Sequence, residues 1–487
     1  MIDNLKKPAY ATLPAGFHAA LPLTEFPDAR IFELNDALRR EFSLVLDTTS
    51  EIAVKTLSGQ VSDHDGALLA MAYAGHQFGQ YAPRLGDGRA MLIGDVIDQN
   101  GHAHELHLKG SGLTPFSRGG DGKATLGAAV REYLISEAMA GLGVATSRSL
   151  AILTTGETIM RETPKPGAIL ARTARSHLRV GTFQYARANH DTETLRALAD
   201  FAIERLDSDL MDAGEDRYAQ MLNRVAERQA ELIAQWMSFG FIHGVMNTDN
   251  MTLSGETIDY GPCAFMDDFH PARVFSSIDY YGRYAWNKQA EIGLWNLSRL
   301  AEAMLPLFAN GEDDQIKAAE IALKDYPDRF KTAWTGAIGR KLGLPSGDQN
   351  AFITATLTAF MEAKVDFSRV FTALTRYAGG GDQGAVIAEF ETTEQGKTWL
   401  SQWEAVTGGR DALSEDTKAA MRTANPVRIA RNHQVEAAIE AAESGDKAPF
   451  EALLLALKAP FEEDSRFETF ETAPQPDEVV HQTFCGT

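Results

Sequence analysis

Apolar positions divide the chain into a strand-rich first third and a helix-rich remainder. Arg89 to Ile97 and Ala103 to Lys109 read as strands, joined by Asp98-Gln99-Asn100-Gly101, where Asn-Gly is a strong hairpin signal. From Thr125 to Ala140 the residues Leu126, Ala129, Val130, Tyr133 and Leu134 recur at helical spacing. Ser149 to Met160 returns to strand character. Beyond about residue 175 the pattern is mostly helical, and the last 150 or so residues, rich in Ala, Glu and Leu, predict further helices. Residues 1 to about 65 read as irregular, with one amphipathic helix near Asn35 to Phe42. The two longest apolar runs, Ala67 to Gly75 and Ala452 to Leu457, are predicted as core helix. Neither approaches the roughly 20 residues needed to span a bilayer. Asn425-Pro426 reads as a helix start, and an acidic, Pro-containing tail begins at Glu462.

Composition narrows the class. At 487 residues the chain is long enough for two or three cores, at roughly 150 residues per domain. Apolar content of 44% and charged content of 23% are those of an ordinary globular protein. The net charge of −21 argues against a nucleic-acid partner, which needs a basic footprint. The N-terminal residues Met1 to Lys7 lack the pattern of a signal or transit peptide, and with no apolar run long enough to span a bilayer no membrane partner is expected. Two cysteines cannot build a disulfide framework, and a cytoplasmic location is the expectation.

The most informative stretch is His243 to Gly261. Its apolar runs Met251 to Leu253 and Thr257 to Ile258 flank Ser254-Gly255-Glu256 and predict a tight β-hairpin. Such a hairpin brings Asn250 close to Asp259, and a carboxamide oxygen beside a carboxylate suits Mg²⁺ holding nucleotide phosphates. Kinases place a catalytic-loop Asn, a hairpin and then Asp-Phe-Gly in this order, and Asp259-Tyr260-Gly261 stands in for the last element. The kinase base lies five residues before that Asn, where this chain has Val245. A carboxylate appears instead at Asp249.

Other residues fit a nucleotide site. In Glu105-Leu106-His107-Leu108-Lys109 the leucines share one strand face and Lys109 lies on the other, as a phosphate-binding lysine would. Glu132 and Glu137 on the following helix are both candidate partners for it, and periodicity alone does not choose between them. Gly75 to Gly79, Leu85 to Arg89 and Arg118 to Lys123 form flexible glycine-rich loops that suit phosphate. Arg172, Arg175 and Arg179 cluster against an acidic background, and guanidinium forks fit phosphate oxygens. The expected fold is therefore α+β with a protein-kinase-like bilobal plan. Its small α/β N-lobe spans 66–170 and its larger, mainly helical C-lobe 171–330. An N-terminal extension covers 1–65, and a helical C-terminal extension with the acidic tail covers 331–487.

Seven motifs in order resemble the selenoprotein O family, also called the YdiU or SelO family of protein adenylyltransferases. They are Gly75-His-Gln-Phe-Gly79, Leu85-Gly-Asp-Gly-Arg-Ala90, Leu108-Lys-Gly-Ser-Gly112, Arg118-Gly-Gly-Asp-Gly122, Arg131-Glu-Tyr-Leu134, His243-Gly-Val-Met-Asn-Thr-Asp-Asn250 and Asp259-Tyr-Gly-Pro262. The likeness runs from about residue 70 to about 435, closing on Asn425 to Asn432. It implies a kinase-like fold that binds ATP in a flipped orientation, so that AMP is transferred to a protein hydroxyl. By position it implies nucleotide binding by Gly86, Gly88, Arg89, Lys109, Asp121, Gly122, Arg172 and Arg179, with Glu132 as the partner of Lys109. It further implies Asp249 as proton acceptor, with Asn250 and Asp259 as ligands of Mg²⁺ or Mn²⁺. Family members can also pair a cysteine or selenocysteine near the C-terminus with a cysteine after the Asp-Tyr-Gly motif. Cys485 matches the first, but 266–279 contains no cysteine, and Cys263 is expected to be a small buried residue.

Three functions follow. One is a nucleotidyltransferase moving AMP from ATP, or UMP from UTP, onto Ser, Thr or Tyr hydroxyls of proteins. The second is a kinase transferring the γ-phosphoryl with Asp249 as base, and the third an ATP-binding pseudokinase without catalysis. Val245 counts against the second; Asp249, Asn250 and Asp259 count against the third.

Overall fold

Eight strands pair into one antiparallel sheet, and the site is built along its middle. The computed structural model describes residues 4–46, 50–62, 68–308 and 311–484. In chain order the strands are β1 (His18–Leu21), β2 (Arg30–Leu34), β3 (Leu68–Met71), a small separate hairpin β4 (Gly75–Gln77) and β5 (Gln80–Ala82), β6 (Ala90–Ile97), β7 (Ala103–Lys109), β8 (Ala124–Thr125), β9 (Arg148–Met160) and β10 (Pro164–Ala174). The sheet order is β1-β3-β6-β7-β10-β9-β2, with β8 on β10. Gly101, at φ +85°, closes the β6–β7 turn as its Asn-Gly signal requires.

The first 65 residues depart from the irregular stretch expected of them. They supply both edges of the sheet, β1 and β2, and helix α2 (Glu51–Leu57), beside helix α1 (Asp36–Glu41), which forms where the amphipathic helix is expected. Short strands carry too little periodicity to stand out in sequence. The predicted helix over 67–75 is likewise corrected, because 68–71 is strand β3. Leu68 and Ala70 pack into one core while Leu69 and Met71 pack into another. A strand buried on both faces loses its polar alternation and reads as a plain apolar run.

Helix α3 (Leu126–Gly141) is capped by the Thr125 hydroxyl, which accepts from the Ala128 N–H at 3.3 Å. It packs against β9 and β10 and buries Val130, Tyr133 and Leu134. After β10 come helices α4 (Val180–Asn189), α5 (Thr192–Leu206), α6 (Arg217–Ser238) and α7 (Gln289–Met304), and helices continue to Leu457. Two-residue strands, Phe241–Ile242 and Ala264–Phe265, pair and bracket the 243–263 segment. The predicted helix start at Asn425-Pro426 is instead a helix end. Asn425 closes the Glu415–Ala424 helix, and the next helix begins at Asn432. Proline just past a cap cannot continue the helix it follows. The acidic tail is tied down: Arg376 donates to Glu463 and Glu471, and Thr483 pairs with Ser276. No helix among the described residues is long and apolar enough to cross a membrane.

One buried charge lies far along the helical part. Lys341 Nζ donates to the Ala424 carbonyl at 3.0 Å and sits over the Phe239 and Phe371 rings, with no carboxylate partner among the described residues. Burial lowers its ammonium from 10.5 to about 7. The folded-state pKa lies below the unfolded one, so the unfolded chain binds the extra proton between pH 7 and 10.5. Stability should therefore rise with pH across that window, by up to about 1.4 kcal/mol per pH unit. Lys341→Met should remove this slope in chemical denaturation measured from pH 7 to 9. An identical slope in the variant would show that Lys341 is charged in the fold.

Candidate active site

Alternation along β7 sets the site. Leu106 and Leu108 are buried in the core on one face, which leaves His107 and Lys109 on the other. Lys109 Nζ donates to Glu132 Oε2 at 2.6 Å and to Asp259 Oδ1 at 2.7 Å. Glu137 binds Arg148, Asn35 and the Ser149 N–H instead, so Glu132 is the partner of Lys109. Arg172, on β10 directly opposite His107, donates to Glu132 Oε1 at 2.7 Å and Asp259 Oδ1 at 3.1 Å. Arg179, which precedes α4, donates to the Asp249 carbonyl at 3.0 Å and lies 3.6 Å from Asp259 Oδ2. Its guanidinium stacks on Tyr73, 4.4 Å from the ring centre. Burial alone would raise the Asp259 and Glu132 carboxyls. The surrounding cations overcome it and lower both, Asp259 to well below the usual carboxylate range.

The 251–258 segment turns back as predicted but is not a two-stranded ladder. The Thr252 hydroxyl donates to the Glu256 carbonyl at 2.7 Å and accepts from its N–H at 3.1 Å, closing the turn with a side chain. Each arm then pairs outward, Thr252 with Arg179 and Thr257 with Thr146. Arms of two or three residues are too short to hold each other. The outward pairing is what brings Arg179 against both halves of the motif. Asn250 Nδ2 donates to the Val245 carbonyl at 3.0 Å, turning its Oδ1 away as an acceptor. Asp259 has φ +62°, a left-handed conformation uncommon outside glycine and typical of strained functional positions.

Asp249 is buried. Its Oδ2 accepts from Gln77 Nε2 at 3.2 Å, and its Oδ1 has no hydrogen-bond partner. Burial pushes this carboxyl up to about 6. Gly75 makes the space, since a side-chain carbon there would lie 2.4 Å from Asp249 Oδ1.

The loops behave differently from one another. A carbon at Gly86, which has φ +72°, would lie 2.3 Å from the Phe116 ring. One at Gly88 would lie 2.9 Å from the Phe116 carbonyl, and one at Gly122 2.2 Å from the Gly112 carbonyl. Close packing of chain on chain thus accounts for these three glycines. Asp121 pairs with Arg161 at 2.7 Å rather than joining the Lys109 cluster. Arg175 offers its backbone N–H to the Glu256 carboxylate, so of the three arginines only Arg172 and Arg179 converge on Asp259. Arg89, Lys109, Arg131, Glu132, Arg161 and Lys165 line a cavity of about 730 Å³. Arg131 also fixes its floor, donating to the Gly261 and Cys263 carbonyls at 2.7 and 2.6 Å. Cys263 is buried, and Cys485 lies outside the described residues.

Sequence reasoning missed a second buried polar group behind these residues. Asp87 pairs with His107 at 3.1 Å, the His107 and His177 rings lie 4.5 Å apart, and His177 bonds Glu105 at 3.1 Å. Two signals pointed there. Asp87 lies between Gly86 and Gly88, and His107 shares the strand face of Lys109.

Hard oxygen donors in the site suit Mg²⁺ or Mn²⁺. Asn250 Oδ1, an ionised Asp259 and the unpartnered Asp249 Oδ1 are available. No three His, Cys, Asp or Glu side chains among the described residues form a complete metal cluster. An ion here would draw its remaining ligands from phosphate and water, the usual habit of Mg²⁺.

The family model for protein adenylyltransferase SelO matches residues 2–458. A protein nucleotidyltransferase YdiU of Bradyrhizobium sp. strain BTAi1 is 48% identical, with 98% of each chain covered. One from Rhizobium leguminosarum bv. trifolii strain WSM2304 is 46% identical over 98% of this chain and 96% of its own. Another from Rhodopseudomonas palustris strain BisB18 is 46% identical over 98% of both. A family model spanning nearly the whole chain, and relatives at this identity, show that the chain belongs to the SelO family of protein adenylyltransferases.

Proposed function

We propose that this enzyme transfers AMP from ATP to Ser, Thr or Tyr hydroxyls of proteins, releasing pyrophosphate, and that UTP serves as a second nucleotide. The observation that carries this reading is the convergence of Lys109, Arg172 and Arg179 on Asp259, one turn of chain from the buried Asp249. Three cations out of water are suited to a polyphosphate, and Val245 occupies the position where a kinase keeps its base. The sheet and the helices after Ala174 would form the two lobes of a kinase-like plan, with β1 and β2 belonging to the smaller lobe.

In this reading Lys109, held by Glu132, and Arg172 and Arg179 orient the phosphates, while Arg89 lines their cavity. Gly86, Gly88, Asp121 and Gly122 shape the loops around it. Asn250 and Asp259 would hold Mg²⁺ or Mn²⁺, which when bound neutralises phosphate charge. The substrate hydroxyl oxygen bonds to the α-phosphorus as the bond to the bridging oxygen of the β-phosphate breaks. Asp249 accepts the hydroxyl proton.

Incubation with Mg²⁺ and ATP labelled separately at the α and γ positions tests the group transferred. Modified protein should keep the α-label and release pyrophosphate; γ-label in the protein with ADP release would establish a kinase. Asp249→Asn keeps the shape of the side chain and removes its basicity. Turnover should fall about 10²–10⁴-fold with ATP affinity nearly unchanged. Normal turnover, or a defect that vanishes at high ATP and Mg²⁺, would show that Asp249 only shapes the loop.

A further inference from the structure

We infer that Asp87 and His107 are positioning residues for the two nucleotide-binding arginines, a role that rests on the proposed function of the site. Asp87 is 1% exposed and His107 0%, so their partners are fixed by the fold rather than by solvent. Asp87 Oδ2 accepts from the Met71 N–H at 3.0 Å and faces His107 Nε2 at 3.1 Å. His107 Nδ1 lies 3.4 Å from Arg172 Nη2.

These contacts permit one arrangement of protons. A guanidinium can only donate, and an ionised carboxylate can only accept. His107 must then carry its proton on Nε2, toward Asp87, and present the Nδ1 lone pair to Arg172. The imidazole is therefore neutral, as its burial favours, and against its own burial Asp87 is held ionised by the hydrogen bonds from His107 and the Met71 N–H and by the nearby Arg179 guanidinium. Arg172 and His107 face each other in register across β10 and β7, so the sheet itself sets their spacing.

Arg179 is held more directly. Its Nη2 and Asp87 Oδ1 are both buried without hydrogen-bond partners and lie 3.8 Å apart. One carboxylate thus lies in ion-pair range of Arg179 and, through His107, reaches Arg172. Both arginines also contact Asp259, the candidate metal ligand. Beside the bonds of Arg172 to Glu132 and of Arg179 to the Asp249 carbonyl, Asp87 and His107 give them a further anchor that is independent of Asp259. The placement of Asp87 between Gly86 and Gly88 gives that loop a task apart from contact with phosphate: it delivers a carboxylate beneath the arginines.

Calorimetric titration of ATP into Asp87→Asn and His107→Asn separates positioning from mere stability. Each variant should bind ATP about tenfold or more weakly, at temperatures where circular dichroism shows it folded. In an Arg172→Lys background, His107→Asn should weaken ATP binding no further, because its effect runs through Arg172. His107→Phe serves as a second variant, since it keeps a ring but has neither the donor for Asp87 nor the acceptor for Arg172. Affinities within twofold of wild type in the folded variants, or full additivity with Arg172→Lys, would overturn the inference. If Arg172→Lys itself binds ATP normally, the reading of the site fails instead. If Arg172→Lys is weak while the Asp87 and His107 variants are normal, only the present inference fails.

Discussion

Glu132 is buried and Asp259 mostly so among Lys109, Arg172 and Arg179, and the rest of the site depends on that arrangement. Buried charges are tolerated only when paired and hydrogen-bonded, and removing one partner from such a set costs about 3–5 kcal/mol. Separate elements complete this set. The β7 strand brings Lys109, β10 brings Arg172, α3 brings Glu132, and the turn after Asn250 brings Asp259. The sheet must be antiparallel and in this register for Arg172 to face His107, one strand face along from Lys109.

The same set explains why the loop from His243 to Cys263 is anchored from several sides. Arg131 grips its Gly261 and Cys263 carbonyls, Arg179 pairs with Thr252, and the tail residue Thr483 donates to the Pro262 carbonyl at 2.5 Å. A residue held at positive φ, as Asp259 is, persists only where its surroundings over-determine it.

Much of this was legible in the sequence, and the gaps have physical causes. The β6–β7 hairpin, α3, β9 and the Lys109 face follow from period and turn chemistry, which are local. The choice between Glu132 and Glu137 is not local. Both side chains are buried, and only the packing of α3 against β9 sends Glu137 to Arg148. β3 reads as helix because both its faces are covered, and β1 and β2 read as irregular because short edge strands are defined by their partners. The 251–258 turn was identified, but its pairing with distant segments cannot be seen from its own residues. Asp87 and His107 escaped notice because a buried Asp–His pair looks in sequence like two ordinary polar residues.

The Asp259 cluster is proposed as the nucleotide and metal site. The direct measurement is ATP affinity of wild type and Asp259→Asn, each with chelator and with Mg²⁺ or Mn²⁺. The wild type should bind ATP more tightly when metal is present. Asp259→Asn should lose that enhancement yet bind metal-free ATP at least as well as wild type, because its three cations are no longer shared with a carboxylate. Full metal enhancement in Asp259→Asn would contradict the assignment.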